Sequence, residues 1–236
     1  MSKIIHRADS RGVADHGWLY SRHTFSFANY YNPERMGFGK LRVINDDIVK
    51  GGGDFGTHPH DNMEIVSVPL AGTLRHRDSM GNSHLIRAGE VQIMSAGTGL
   101  THSEYNDSAT EPVNFLQIWV LPKQRNIEPR YGQQVFARAD RHNRFQTVVA
   151  PEPDGAAVWI NQDAWFSLGD FEAGQAVRYQ ARKAGNGVYL FVIDGAIEVV
   201  GETLTRRDAI GISDGTELDI KTVADSQLLV IDVPMA

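Results

Sequence analysis

The sequence predicts an all-β protein built from two small β-barrels, and three observations support that prediction. Short apolar or alternating runs dominate, turn-forming residues separate them, and helical periodicity is hard to find. A faint internal repeat adds the division into two barrels, because both halves end on an apolar strand that closes in proline. With 236 residues, the chain is long enough to bury two cores.

The predicted strands follow one another in chain order. In the first half they cover residues 41–45, 63–70, 91–94 and 114–121, and in the second half residues 188–193, 196–200 and 227–233. Turn residues punctuate them at positions 51–53, 78–82, 88–90, 151–155 and 213–215. We therefore predict an N-terminal barrel over residues 1–125, a polar connection over 126–144 and a C-terminal barrel over 145–236.

Composition excludes several classes of function. The chain carries 29 acidic and 23 basic residues, a net charge of −6, without a run of Lys or Arg. This balance argues against nucleic acid and against an anionic membrane as partners. The N-terminus lacks an apolar stretch of signal-peptide length, and no apolar run is long enough to cross a bilayer, so we expect a cytoplasmic protein. Because the chain has no cysteine, any metal must be held by nitrogen and oxygen.

A pair of histidines, His58 and His60, stands in the stretch GTHPHDNME. On a β-strand this spacing places both side chains on one face, about 6.6–6.8 Å apart along the strand. Two imidazoles at that separation can lean onto one metal ion. A lone pair of this kind is more often a chance surface feature or a hydrogen-bonded core pair.

A second pair makes chance a poor explanation. His102 and Glu104 have the same spacing and follow another glycine-rich turn. Two facing strands would then present three nitrogens and one oxygen to a single point. Glu64 has the same parity as His58 and His60, so we expect it to face inward too. It could replace Glu104 as a ligand, orient an imidazole, or act as a general base.

The histidine distribution assigns the metal site to the first barrel. All nine histidines lie at or before His142, and Gln180 and Arg182 fall roughly where His58 and His60 would align in the second half. The second barrel is therefore predicted to be structural. Three weaker candidates, His76, Asp78 and Ser79, are predicted to lie in one hairpin turn, where their side chains cannot line up as a catalytic triad. His23 is predicted to pack rather than to bind a metal.

These motifs carry a family resemblance. Gly52-x5-His58-x-His60-x3-Glu64, Gly89-x5-Ser95-Ala96-Gly97 and His102-x3-Asn106 resemble the two-part motif of the cupin superfamily, with Ser95 in place of the usual proline and a longer gap after Gly97. The stretches 16–47, 57–65 and 94–106 more closely resemble the pirin family, and especially its bacterial quercetin 2,3-dioxygenase-like members. The resemblance is specific over about residues 12–135 and loose afterwards.

The resemblance implies a fold and a ligand set. The fold is a bicupin, two jelly-roll β-barrels packed together. The implied metal ligands are His58, His60, His102 and Glu104, which leaves Glu64 beside the ligands and not among them. Such a set suits one divalent transition metal, with Fe(II) as the first expectation and Mn, Co, Ni, Cu or Zn as alternatives.

The resemblance also implies an activity, which is oxidative opening of a flavonol such as quercetin, with release of carbon monoxide. The partners would be a small aromatic substrate and O2, with Glu104 or Glu64 as the catalytic base, and we expect a monomer. One alternative is an iron-binding, redox-sensing regulator that acts through a protein partner. Another is a zinc-dependent isomerase or hydrolase.

Overall fold

The predicted all-β fold with two barrels is confirmed. The structure is a computed structural model that describes residues 2–153, 155–215 and 217–236. Over these residues the chain forms 22 strands in four sheets, with short 3-10 helices at Ala8–Ser10 and Arg138–Arg141. The predicted turn at 151–155 includes Asp154, which lies outside the described residues. Within the described ranges, no helix is long and apolar enough to span a bilayer.

The first half supplies one seven-stranded and one four-stranded sheet. Its strands are β1 (Lys3–His6), β2 (Gly12–Asp15), β3 (Leu19–His23), β4 (Leu41–Val49), β5 (Asp54–His60), β6 (Glu64–Ala71), β7 (Thr73–Asp78), β8 (Ser83–Arg87), β9 (Glu90–Ser95), β10 (Leu100–Asn106), β11 (Val113–Val120) and β12 (Arg130–Val135). The larger sheet has the order β12-β9-β6-β11-β4-β3-β2, and the smaller has the order β5-β10-β7-β8.

The second half repeats this arrangement of seven and four strands. Its strands are β13 (Phe145–Ala150), β14 (Val158–Trp159), β15 (Trp165–Phe171), β16 (Ala176–Gln180), β17 (Asn186–Asp194), β18 (Ala196–Val199), β19 (Glu202–Thr205), β20 (Ala209–Ile212), β21 (Glu217–Thr222) and β22 (Ser226–Pro234). The larger sheet runs β1-β20-β17-β22-β15-β13-β14, and the smaller runs β16-β21-β18-β19. Each apolar run taken from the sequence falls on one of the observed strands.

Two strands cross the predicted division of the chain. β1 pairs with β20 in the second barrel, although it begins the chain. β12 pairs with β9 in the first barrel, although it lies in the predicted connection. The boundaries at 1–125, 126–144 and 145–236 stay predictions, and each barrel borrows one strand from outside its own segment.

The two large sheets pack back to back around a shared apolar core. On β11, Leu116, Ile118 and Val120 join this core, and on β22, Leu229 and Ile231 join it from the other side. The alternate residues of each strand point into their own barrel, as a β-strand requires. Leu228 and Val230 thus enter the apolar interior of the second barrel. The shared core therefore supports the backs of both sheets.

The interior of the first barrel differs because a row of polar side chains crosses it. The row runs across five neighbouring strands, and each residue lies opposite the next in the order His23, Asn45, Gln117, Ser67 and Gln92. All five are buried. By contrast, aliphatic and aromatic side chains fill the second barrel. A polar interior is costly to bury without partners, so it marks the first barrel as the place for chemistry.

Candidate metal centre

Neighbouring strands β5 and β10 bring the predicted histidines together. His102 lies directly opposite His58 in the antiparallel ladder, and His60 is two residues further along β5 on the same face. One nitrogen from each of His58, His60 and His102 lies within 4.8 Å of the other two. We call these three residues the histidine cluster.

The geometry of the histidine cluster fits one shared ion. The ring centroids are 4.5, 4.8 and 4.9 Å apart. Imidazoles bound at about 2.1 Å and at right angles would have ring centres about 4.6 Å apart, against about 5.3 Å for tetrahedral angles. The Nε2 atoms of His58 and His102 are 2.9 Å apart, which also matches adjacent ligands at a right angle. The rings therefore resemble three adjacent corners of an octahedron, an arrangement that leaves further positions for other ligands.

The protonation states also suit a metal. The Nδ1 of His58 lies 2.7 Å from the carbonyl oxygen of Gly56, so this nitrogen donates and Nε2 keeps its lone pair. Burial, followed by the charge of His58, lowers the pKa of His60 to about 4. Burial also lowers the pKa of His102, to about 2. Both rings are thus neutral near pH 7, as metal ligation requires. Among the described residues, the buried Nε2 of His60 has no hydrogen-bond partner, which is consistent with a ligand role.

Glu104 is buried beside the histidine cluster. A β-bulge between His102 and Glu104 shifts the register with β5 by one residue, so that Glu104 lies opposite Phe55. Its carboxylate oxygens accept hydrogen bonds from Gln117 Nε2 at 2.7 Å and Ser67 Oγ at 3.2 Å. Desolvation by burial raises its pKa. One carboxylate oxygen of Glu104 lies within 4.8 Å of a ring nitrogen of His102 and of His76. The role of Glu104 as fourth metal ligand stays a prediction.

The expectation that Glu64 faces inward is wrong. The chain turns at Asn62, which has φ of +45°, and Glu64 begins β6 in the other sheet, so parity with His60 carries no information. Glu64 shares its face with Val66 of the inter-barrel core. Its Oε2 accepts hydrogen bonds from Ser95 Oγ at 2.7 Å and from the backbone nitrogen of Asn161 at 3.1 Å. Glu64 therefore lies between the barrels, where it is not placed to serve as a base at the histidine cluster.

Sequence reasoning missed His76. It lies within strand β7 and not in a turn, opposite Glu104, and it is fully buried. Its Nε2 lies 3.0 Å from Asp78 Oδ2. The alternation Leu74-x-His76-x-Asp78 was the available signal, because it places all three side chains on the inward face of a strand. Ser79 takes no part, since its Oγ accepts a hydrogen bond from the backbone nitrogen of Thr101.

Aromatic rings pack beside His60 of the histidine cluster. Trp119 packs edge-on against His60 with centroids 5.0 Å apart, and Phe27 packs against Trp119 at 5.2 Å. Phe27 also lines a cavity of about 440 Å³ next to the buried His23, which packs against Phe27 as predicted. Larger open grooves, of about 670 and 720 Å³, run along the second barrel and include no member of the histidine cluster.

Two barrels of this topology, with a histidine cluster inside the first, define a bicupin. Residues 6–120 match the family model described as Pirin, and residues 147–233 match the quercetinase C-terminal cupin domain. The chain belongs to the pirin family, as the sequence motifs indicated.

Named relatives span almost the whole chain. A quercetin 2,3-dioxygenase from Escherichia coli strain K12 is 43% identical over 98% of both chains. A pirin-like protein from Caulobacter vibrioides is 40% identical over 95% of this chain and 96% of its own. The crystal structure of the bacterial pirin YhhW from Escherichia coli in complex with nickel(II) is 41% identical, with a TM-score of 0.94 and full coverage of both chains.

Proposed function

We propose that this protein is a metal-dependent dioxygenase that opens the ring of a flavonol such as quercetin and releases carbon monoxide. The observation that carries the proposal is the histidine cluster, whose three rings are spaced like three adjacent corners around a shared point, so that further positions remain for other ligands. A closed structural site would leave no such room. The relative named quercetin 2,3-dioxygenase supports the choice of reaction.

His58, His60 and His102, with Glu104 as the fourth ligand that the family resemblance implies, would hold one divalent ion. Fe(II) is the proposed native metal, and Mn, Co, Ni, Cu or Zn are alternatives. When bound, the ion would supply Lewis acidity that lowers the pKa of the substrate 3-hydroxyl. The nickel complex of a relative supports a metal at such a site.

Glu104 is the proposed base. Its carboxylate is buried next to His102, and hydrogen bonds from Gln117 and Ser67 hold its two oxygens in a fixed orientation. It would take the proton of the 3-hydroxyl and later return it to the product. In the overall reaction, the two carbon–carbon bonds of the ring carbon that bears the 3-hydroxyl break. Both atoms of dioxygen enter the organic product, and that carbon leaves as carbon monoxide.

The aromatic border supplies orientation and keeps water out. Trp119 and Phe27 offer ring edges on the side of His60, where a planar substrate can pack against them. The indole nitrogen of Trp119 is buried and has no hydrogen-bond partner among the described residues. This donor is available to a hydroxyl-rich ligand.

The test is carbon monoxide release from quercetin by protein loaded with each of the six ions in turn. We expect carbon monoxide in proportion to the oxygen consumed. His58→Ala should abolish the reaction, and His142→Ala, which changes an exposed histidine outside the cluster, should not. Absence of gas with every ion, or an equal rate from His58→Ala, contradicts the proposal. Turnover that survives strict anaerobiosis would favour a hydrolase or isomerase instead.

A further inference from the structure

His76 and Asp78 form a buried pair behind the histidine cluster. Both side chains are fully buried, on a strand that pairs with β10, so that Asp78 lies opposite His102 and His76 lies opposite Glu104. The ring of His76 is 5.3 Å from that of His102 and 4.9 Å from that of Tyr131. The ring of His76 therefore packs between the candidate metal ligand His102 and the ring of Tyr131.

The hydrogen bonds of Asp78 define the tautomer of His76. The carboxylate accepts hydrogen bonds from the backbone nitrogens of Met80 and Asn82 and from the Asn82 side chain. A carboxylate held by so many donors is an acceptor only, so the Nε2 of His76 must carry the hydrogen that it shares with Asp78. In a neutral ring the Nδ1 of His76 then keeps a lone pair, and no described residue donates to it.

His102 has the complementary deficiency. Its Nε2 points at the Nε2 of His58, 2.9 Å away, and thus toward the shared ion of the proposed site. An imidazole that binds a metal through Nε2 carries its hydrogen on Nδ1, and that hydrogen needs an acceptor. The Nδ1 of His102 is buried, and within the described residues it too has no partner. One strand thus holds a buried donor and its neighbour holds a buried acceptor.

We propose that Asp78 and His76 are positioning residues that hold His102 in its metal-binding orientation, through one water that bridges the two Nδ1 atoms. The rings of His76 and His102 have centroids 5.3 Å apart, and one ligand atom from each of His76, His102 and Glu104 lies within 4.8 Å of the other two, a spacing that a single water can bridge. The inference rests on the proposed metal centre and adds a chain that runs from Asp78 through His76 to His102.

The experiment measures nickel(II) affinity by calorimetry and the visible spectrum of the cobalt(II) form, both without substrate. His76→Phe keeps the ring and its contact with Tyr131 but removes the acceptor, and we expect nickel affinity to fall about 10- to 100-fold. His76→Asn should recover most of the affinity, because its Oδ1 can stand where Nδ1 stood. Asp78→Asn should give an intermediate loss, because a neutral amide holds His76 less firmly.

The matched control is His84→Phe. His84 pairs with His76 across β7 and β8 and stacks on the same Tyr131, with centroids 4.9 Å apart. It is exposed, and strand β7 separates it from His102 on β10. It should leave nickel affinity unchanged. Thermal melting of the metal-free variants separates loss of fold from loss of the site, and His76→Asn keeps the test decisive if His76→Phe unfolds.

Three outcomes overturn the inference. The first is an affinity of His76→Phe within twofold of the parent, with an unchanged cobalt spectrum. The second is a failure of His76→Asn to recover affinity while it remains folded. The third is a fall in the nickel affinity of His76→Phe as large as that of His102→Ala, together with loss of a nitrogen ligand from the cobalt spectrum. His76 would then bind the ion itself. Failure of the parent to bind nickel or cobalt would instead contradict the metal centre.

Discussion

Replacing Glu64 by Gln tests the position that the structure gives to this residue. Glu64 is 1% exposed, and burial raises its pKa from 4.5 to about 7, against the opposing effects of Ser95, Asn161 and Arg130. Gln keeps the shape and the oxygen that accepts from Ser95 and Asn161, but it cannot ionise. The variant therefore isolates the cost of a buried negative charge at the junction of the barrels.

The sign of the effect follows from proton binding. Between pH 4.5 and about pH 7 the unfolded chain has released the Glu64 proton and the folded chain still holds it, so the parent loses stability as the pH rises. The full loss is about 3 kcal/mol, of which about 2–3 kcal/mol falls between pH 5 and pH 8. Glu64→Gln does not lose this contribution. Its free energy of unfolding should thus rise relative to the parent by about that amount over the same range.

Urea unfolding of the metal-free proteins at about pH 5 and pH 8 gives the free energy of unfolding of variant and parent at each pH. The change in their difference between the two pH values is the quantity to compare. Any constant cost of the amide cancels in this comparison. Glu198→Gln, which changes an exposed carboxylate in the second barrel, is the matched control and should give a difference that is flat with pH. A flat difference for Glu64→Gln as well would refute the reasoning. Glu64→Gln should also retain carbon monoxide release, because the residue lies away from the histidine cluster.

Three further variants test other parts of the molecule. Glu104→Gln should reduce flavonol turnover at least about 100-fold, the usual contribution of a positioned base, and a rate near that of the parent would remove it from the mechanism. Arg207→Met should lower the free energy of unfolding by about 3–5 kcal/mol in urea, because it removes the cationic partner of the largely buried Asp46 carboxylate. The Oδ2 of Asp46 lies 2.6 Å from the Nε of Arg207, which belongs to the other barrel. Adding Asp46→Asn should recover part of that loss, and no recovery would mean that the ion pair is not the cause. Phe27→Ala should raise KM about 2- to 10-fold with metal content unchanged, because Trp119 loses its edge contact, and an effect on kcat alone would contradict this.

The sequence predicted those features that depend on local patterns. Apolar alternation located the strands, and the spacing of His58, His60 and His102 placed their side chains on inward faces of neighbouring strands. The register between β5 and β10, which puts His58 opposite His102, then follows from two strands with matched inward rows.

The failures come from features that alternation does not encode. The turn at Asn62 moves Glu64 to another sheet, so counting by twos from His60 gave the wrong face. The bulge beside Glu104 shifts its register by one residue, which no single-strand pattern records, although the predicted ligand role of Glu104 is not contradicted by it. His76 was missed because β7 was taken as part of a turn, and its partner Asp78 ends that strand. The pairing of β1 with the second barrel is a contact between the two ends of the chain, which local patterns do not specify.

The second barrel has a physical role in the proposed chemistry although it holds no histidine. On β11, Gln117 and Trp119 face the site, and Ile118 between them faces the shared apolar core. Ile231 of β22 packs in that same core from the second barrel. Without this cover, the back of the site's sheet would expose an apolar surface, and the strand that aims Gln117 at Glu104 would lose its support. The apolar partner barrel therefore allows the first barrel to keep a polar interior, because the core that stabilises the sheet lies on the opposite face from the chemistry.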